Sequence, residues 1–468
     1  MSADDGGTTG QGGHDLYPHW QAADHQSHVH LQDQCQQTTT GNVEHRSESG
    51  FHTTGIKRGF ETVEGIDRIR NRKGGETMRD DELQVLGLPN KRKSYWSWII
   101  VAVCVVIIAV LSCLLIKKTK EEPPQKYVGT TIAPALQEAV DSVLREKLMQ
   151  VSGLHGQAIV MEVKTGAIKA IVGLEHRYDG QYVPCDNFAY QQELGQLMGV
   201  PSLLAAMETD SVSLFDRVDA GDGIWPVDDE HRMGDHNHKL GGYGELLVGQ
   251  ALCFSSNIGI AKTVLKAFHN DASSYFDQLD KMSFGQPDSI EGITGLRPAT
   301  YLTPRDSCWK NYMFPWHTIG YECKIAPIQM LSFYNAIAND GTMVKPTLKP
   351  GEPEVINEHI ARQENINEMR WVLQKTVEEG LGKRAGTEKV SVAGKTGTSQ
   401  LNVIWGEDDD KVYEYQLGFC GFLPTEKPEY SVIVSLNVIW GPHSGGLIAG
   451  TVFRQIAEWM VDHKMIND

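Results

Sequence analysis

Val390-Ser-Val-Ala-Gly-Lys395-Thr396-Gly397-Thr398-Ser-Gln400 is a short apolar, alternating run that feeds into a Lys-Thr-Gly-Thr tetrad. The pattern reads as a strand whose glycine admits a second backbone, with one cation and two hydroxyls beside it. Such an edge can hold an acyl substrate by its carboxylate and its amides. The same triplet also occurs as a turn between core strands. A phosphate loop is excluded, because G-x-x-x-x-G-K-[ST] requires glycine at the position of Lys389.

The segments around this strand narrow the choice. About 140 residues upstream stands Cys253-Phe-Ser255-Ser256-Asn257-Ile-Gly259. Ala336-Ile-Ala-Asn-Asp-Gly-Thr-Met-Val-Lys-Pro346 lies between the two. Leu417-Gly-Phe-Cys-Gly-Phe-Leu-Pro424 and Glu429-Tyr-Ser-Val-Ile-Val-Ser follow. In this order and spacing, from about Val128 to the C-terminus, the chain resembles the transpeptidase domain of penicillin-binding proteins. The resemblance implies an α/β fold of the penicillin-binding protein and serine β-lactamase type, with a central antiparallel sheet flanked by helices. It also implies acyl transfer through a serine, which needs a neighbouring base because a free hydroxyl is a poor nucleophile.

In that family a serine and a lysine share one helical turn as S-x-x-K, S-x-N completes the proton relay, and K-T-G holds the substrate carboxylate. Ser255 and Asn257 match the second motif; alone, Ser255-Ser256-Asn257 also reads as a helix cap. Lys395, Thr396 and Gly397 match the third, with Thr398 supplying a backbone N–H to an oxyanion. The first motif is absent. Gln192-Glu193-Leu194-Gly195-Gln196-Leu197-Met198-Gly199 stands in its place, followed by Val-Pro-Ser-Leu-Leu-Ala-Ala-Met-Glu208. The flanking Glu193-Gly195 and Leu-Ala-Ala-Met-Glu fix the register, so Gln196 occupies the nucleophile position and Gly199 the lysine position. Between Val128 and Ser255 the lysines are Lys147, Lys164, Lys169 and Lys239, and Leu144, Met161, Gly166 and His236 stand three residues before them. The only S-x-x-K in the chain is Ser307-Cys-Trp-Lys310, after the second motif. A glutamine amide is no nucleophile and glycine no base. The expected result is a catalytically degenerate homologue whose pocket binds a peptidoglycan stem peptide or a β-lactam without turnover, in cell-wall synthesis or division, in company with other proteins of those processes. A working D,D-transpeptidase or carboxypeptidase with a displaced serine and a membrane-tethered β-lactam or muropeptide sensor are the alternatives.

The rest of the chain supplies an anchor. Residues 1–94 form a polar tail, poor in large apolar residues up to about 77, with no means of burying a core; Met78 is a second candidate start. Tyr95 to Ile116 is uncharged and long enough to cross a bilayer, with Tyr95, Trp96 and Trp98 at one interface and Lys117-Lys118 at the other. Arg68, Arg70, Arg72, Lys73 and Arg79 place the N-terminus in the cytoplasm, and the resemblance gives a bacterial inner membrane with residues 128–468 in the periplasm. Residues 117–127 are a linker, which leaves no room for an N-terminal pedestal module. A net charge of −17 argues against a nucleic-acid partner. The eight cysteines lack C-x-x-C spacing, and with five beyond the apolar segment a buried thiol such as Cys253 or Cys420 stays free. Asp228, Glu230, His231, Asp235, His236 and His238 are ligand-capable types in a Gly-rich loop, but no metal and no other cofactor is expected.

Overall fold

The computed structural model describes residues 127–405, 411–441 and 443–466. Helix α1 (Pro134–Val151) begins with proline in its first turn, where the missing N–H costs nothing, and ends at Ser152, whose left-handed backbone lets Gly153 N–H return to the Leu148 carbonyl. Its Leu136, Val140, Leu144 and Leu148 are buried at helical spacing. Strands β1 (His155–Glu162), β2 (Ile168–His176) and β3 (Tyr182–Pro184) follow. Late in the chain come β4 (Ala393–Trp405), β5 (Lys411–Leu423) and β6 (Tyr430–Val438).

These six strands form one antiparallel sheet in the order β4-β5-β6-β1-β2-β3. The chain enters at the middle of the sheet and completes one side only after two hundred intervening residues. Every residue of β6 is buried, its polar members included: Ser431 Oγ donates to Asn335 Oδ1 at 2.7 Å, and Ser435 Oγ accepts from Gln416 Nε2. On one face Ala158, Val160, Val434 and Leu436 pack against α1 and the last helix α8 (Gly445–Asp462). On the other, Ile159, Met161, Cys420, Phe422 and Ile433 meet a helical lobe.

That lobe contains α2 (Gly199–Met207), α3 (Val248–Cys253), α4 (Asn257–Ala267), α5 (Ala272–Lys281), α6 (Pro327–Ala338) and α7 (Gln363–Glu378). Phe254 to Ser256 separate α3 from α4. Asn365 and Glu368 have the spacing of a capping box, but Asn365 is not the N-cap of α7. The N-cap is Arg362, three residues before Asn365, and Asn365 Nδ2 donates to Glu208 Oε1 at 2.6 Å; a tertiary acceptor has taken the side chain from its local partner. Cys253 and Cys420, the buried thiols expected to escape pairing, are both free.

The apolar segment Tyr95–Ile116 and the tail before it lie outside the described residues. Among the described residues no helix is long and apolar enough to cross a membrane.

Candidate active site

Strand β4 is the edge of the sheet and forms one wall of the site. Lys395 pairs with Cys420 and Gly397 with Gly418 across the ladder. The outer edge of β4 faces a short 3-10 helix, Gly195–Met198, which runs directly into α2. Two glycines make that approach possible. A Cβ on Gly397 would stand 2.5 Å from the Leu194 carbonyl oxygen and 2.8 Å from Leu197 Cγ. A Cβ on Gly195, whose φ is +55°, would stand 2.4 Å from the Thr398 carbonyl oxygen. In an antiparallel ladder the N–H and C=O of a residue point the same way. The Thr398 N–H therefore also points off the sheet edge, toward the Gly195–Met198 turn. This is the orientation expected of an oxyanion donor. Gly445 N–H, at the first turn of α8, donates to Thr398 Oγ1 at 3.2 Å and fixes that hydroxyl.

The second wall is the junction of α3 and α4, where two consecutive serines divide two tasks. Ser256 is the helix cap: it is fully buried, and its Oγ accepts from Gly259 N–H at 2.9 Å. Ser255, half-buried with φ +52°, turns toward β4. Lys395 Nζ donates to Ser255 Oγ and, at 2.9 Å, to the Thr396 carbonyl. Ser255 Oγ lies 3.5 Å from Thr396 Oγ1. Residues about 140 apart in sequence thus form one hydrogen-bonded cluster. Lys395 has no exposed surface. Burial lowers its ammonium to about 7, opposed only by the nearby Cys253 thiol.

The floor is the turn that carries Gln196, which is 6% exposed. Gln196 Nε2 donates to Asn257 Oδ1, while Asn257 Nδ2 donates to the Gly234 carbonyl at 2.8 Å. A Cβ on Gly199 would lie 3.0 Å from Gln196 Oε1. The glutamine amide therefore fills the space into which a side chain at 199 would grow, and Gly199 leaves it room. All eight residues singled out in the sequence converge here: Gln196 and Gly199 on the turn, Ser255 and Asn257 at the helix junction, Lys395 to Thr398 on the strand.

Asp235 is the residue that the sequence did not assign to this site. Its carboxylate is buried and accepts from Ser256 Oγ at 2.7 Å and from Ile258 N–H at 3.1 Å. It anchors the start of α4 and so sets the direction of Asn257. Its ligand-capable character suggested only a metal site, because nothing local distinguishes a carboxylate that binds a helix start 21 residues away. The other members of that loop are dispersed: Asp228 pairs with His231, and His238 Nδ1 lies 3.0 Å from the Asp235 carbonyl. Among the described residues no group of three or more ligand types could hold a metal ion. Ser307 and Lys310 are exposed and lie outside any helix, so the single S-x-x-K match does not set its serine and lysine on one helical turn.

Burial raises the Asp235 carboxyl from its ordinary 3.8 to about 6, against its hydrogen bonds from Ser256 and Ile258. Its proton is thus held more tightly in the fold than in the unfolded chain. The associated stability is complete below about pH 4 and is lost as the pH rises through about 6. Asp235→Asn is expected to remove about 2.5 kcal/mol of the decline in stability between pH 4 and pH 7. Urea unfolding at the two pH values measures this, and an unchanged difference in the variant refutes the assignment.

The comparisons with known proteins match this geometry. The model of the penicillin binding protein transpeptidase domain matches residues 156–458. The "Penicillin-binding protein PbpB" of Mycobacterium tuberculosis is 25% identical over 373 residues, covering 72% of this chain and 53% of the relative. The "Probable peptidoglycan D,D-transpeptidase PbpC" of Pseudomonas aeruginosa is 25% identical over 363 residues, covering 73% and 60%. The chain thus spans little more than half the length of these relatives. The TP domain of penicillin-binding protein 3 from Burkholderia pseudomallei shares the fold, with a TM-score of 0.60 at 23% identity over 74% of this chain and 98% of that one. Penicillin-binding protein 2B of Streptococcus pneumoniae shares it at a TM-score of 0.63 and 16% identity, over 72% and 60%. The edge strand with its buried lysine, the serine junction that meets it and the family model spanning both make this chain a member of the penicillin-binding protein transpeptidase family.

Proposed function

We propose that this chain is a degenerate transpeptidase homologue of peptidoglycan synthesis or division, which binds a stem peptide or a β-lactam and does not turn it over. One observation carries the reading: the nucleophile position holds Gln196, whose amide is committed to Asn257, while Lys395, Thr396 and Thr398 keep the arrangement that receives a carboxylate and an acyl oxygen. Loss of a nucleophile together with its base removes most of an enzyme's acceleration but leaves binding groups in place. Tyr95–Ile116 serves in this reading as a single inner-membrane anchor, with the family domain in the periplasm.

The test is a melting-temperature titration of the full chain with an N-acylated peptide ending in D-alanyl-D-alanine. A saturable rise that a peptide amide of the same sequence does not give supports the proposal; no rise at millimolar peptide refutes it. The pH dependence is specific. The peptide carboxylate needs Lys395 protonated, and in the free cleft that lysine releases its proton near 7. Affinity should therefore fall about tenfold per pH unit above about 7. Glu193, below the Gln196 turn, is also raised to about 7 by burial and then by Glu322. Lys395→Arg separates the two groups, since a guanidinium does not titrate there. The variant profile should be flat if Lys395 is the group responsible.

A further inference from the structure

We propose that Ser255, hydrogen-bonded to Lys395, is a second nucleophile of this cleft, able to take the acyl group of a strained cyclic amide of the β-lactam class. The inference rests on the reading that the cleft binds such a ligand; it adds that a ligand whose carboxylate is taken by the Thr396 and Thr398 hydroxyls leaves Lys395 free to be neutral, and assigns covalent chemistry to a residue outside the nucleophile position.

Four observations support the assignment. Ser255 Oγ is in hydrogen-bond contact with the amine of a lysine that has no exposed surface. That lysine's other acceptor is the Thr396 carbonyl rather than a carboxylate, so nothing anionic pins the proton on it. Burial brings its ordinary value of 10.5 down to about 7, which leaves a large neutral fraction near neutral pH. A desolvated amine of this kind is a competent general base for an adjacent hydroxyl. Finally, Ser255 is held in place without being used up. Its left-handed backbone sits on the break between α3 and α4, its neighbour Ser256 does the capping, and Asp235 secures the following turn. The Ser255 hydroxyl is left with Lys395 and the Thr396 hydroxyl as its neighbours.

The chemistry balances without a further reactant. Ser255 Oγ attacks the ring carbonyl carbon, and its proton passes to the neutral Lys395 amine. The intermediate collapses with cleavage of the ring C–N bond, and the departing ring nitrogen takes the proton from Lys395. The product is an ester on Ser255 that carries the whole opened ligand, with Lys395 returned to its neutral state. Release of ring strain drives the step. An open-chain peptide amide offers no such release and stays bound unreacted, in keeping with a cleft that binds stem peptide without turnover.

The full chain is incubated with a fluorescent penicillin for hours, then analysed by intact mass and by peptide mapping. The expected result is one adduct per chain, with the mass of the intact ligand, on the peptide containing Ser255. Ser255→Ala should lose it. Lys395→Arg has no neutral form at working pH, so it should slow labelling at least about 100-fold. An adduct mapped to another residue, such as Ser307 or Cys253, overturns the proposal. So does the absence of any adduct in a chain that still responds to the peptide, and in that case the binding reading stands. Absence of both responses overturns the two together.

Discussion

The Gln196→Ser/Gly199→Lys double variant is expected to react with a fluorescent penicillin at position 196 at least about 1000-fold faster than the native chain labels at any residue. The space for it exists. With the glutamine gone, the atom nearest a Cβ at 199 is removed. The remaining neighbours, Leu252 Cδ1 at 3.6 Å and Ile260 Cγ2 at 3.9 Å, are ordinary contacts. Asn257 Oδ1, deprived of the Gln196 amide, becomes an acceptor for the new ammonium. Neither single change should suffice. Gln196→Ser alone supplies a hydroxyl with no base and leaves Asn257 Oδ1 without its donor. Gly199→Lys alone drives a side chain into the glutamine amide. The effects should therefore be strongly non-additive, as for groups that act as a unit. A double variant that melts like the native chain yet remains unlabelled at 196 would show that the cleft has lost more than its first motif.

Lys395→Met is expected to abolish carboxylate binding and, at the same time, to stabilise the fold. A fully buried amine held at about 7 instead of 10.5 costs folding free energy at neutral pH, because the unfolded chain binds the proton that the native state resists. The displacement corresponds to about 5 kcal/mol as an upper bound. Against it stand the hydrogen bonds to Ser255 and to the Thr396 carbonyl, about 1–1.5 kcal/mol each. Methionine fills a similar volume without the charge, so the net gain should be about 2 kcal/mol, a few degrees in Tm. The sign is also pH-dependent. The variant's advantage should be full below about pH 7 and turn into a disadvantage near pH 10, where the lysine is neutral in both states and only the lost hydrogen bonds count. A loss of stability at pH 6.5 would mean that Lys395 is held by favourable contacts rather than kept at a cost for the ligand. A residue that stabilises the fold when removed is one retained for what it binds.

Much of this site was legible in the chain itself. Lys395-Thr396-Gly397 and Ser255-x-Asn257 are local patterns, and their chemistry depends on residue types a few positions apart. The missing S-x-x-K motif is a matter of reading three residues back from each lysine. The long-range hydrogen bonds are of another kind. The pattern Ser255-x-Asn257 picks out Ser255, but the two serines carry the same hydroxyl, and it is the left-handed backbone at 255 that turns one to the strand while Ser256 caps α4. The union of Gln196 with Asn257 across 61 residues, and of Asp235 with the start of α4, arises only when the helical lobe closes on the sheet edge. The helix start at Gln363 shows the same limit on a smaller scale: an apparent capping box gave way to Glu208, a partner 157 residues away from Asn365.

Residue identity alone therefore determined that position 196 carries no nucleophile and position 199 no base, because an amide and a hydrogen atom have no such chemistry in any fold. Packing alone decided that Lys395 is desolvated, that its amine meets the Ser255 hydroxyl, and that Asp235 is an anchor rather than a metal ligand. Burial and hydrogen-bond geometry belong to the assembled layers, and a proton's preference for one atom over another follows from those layers.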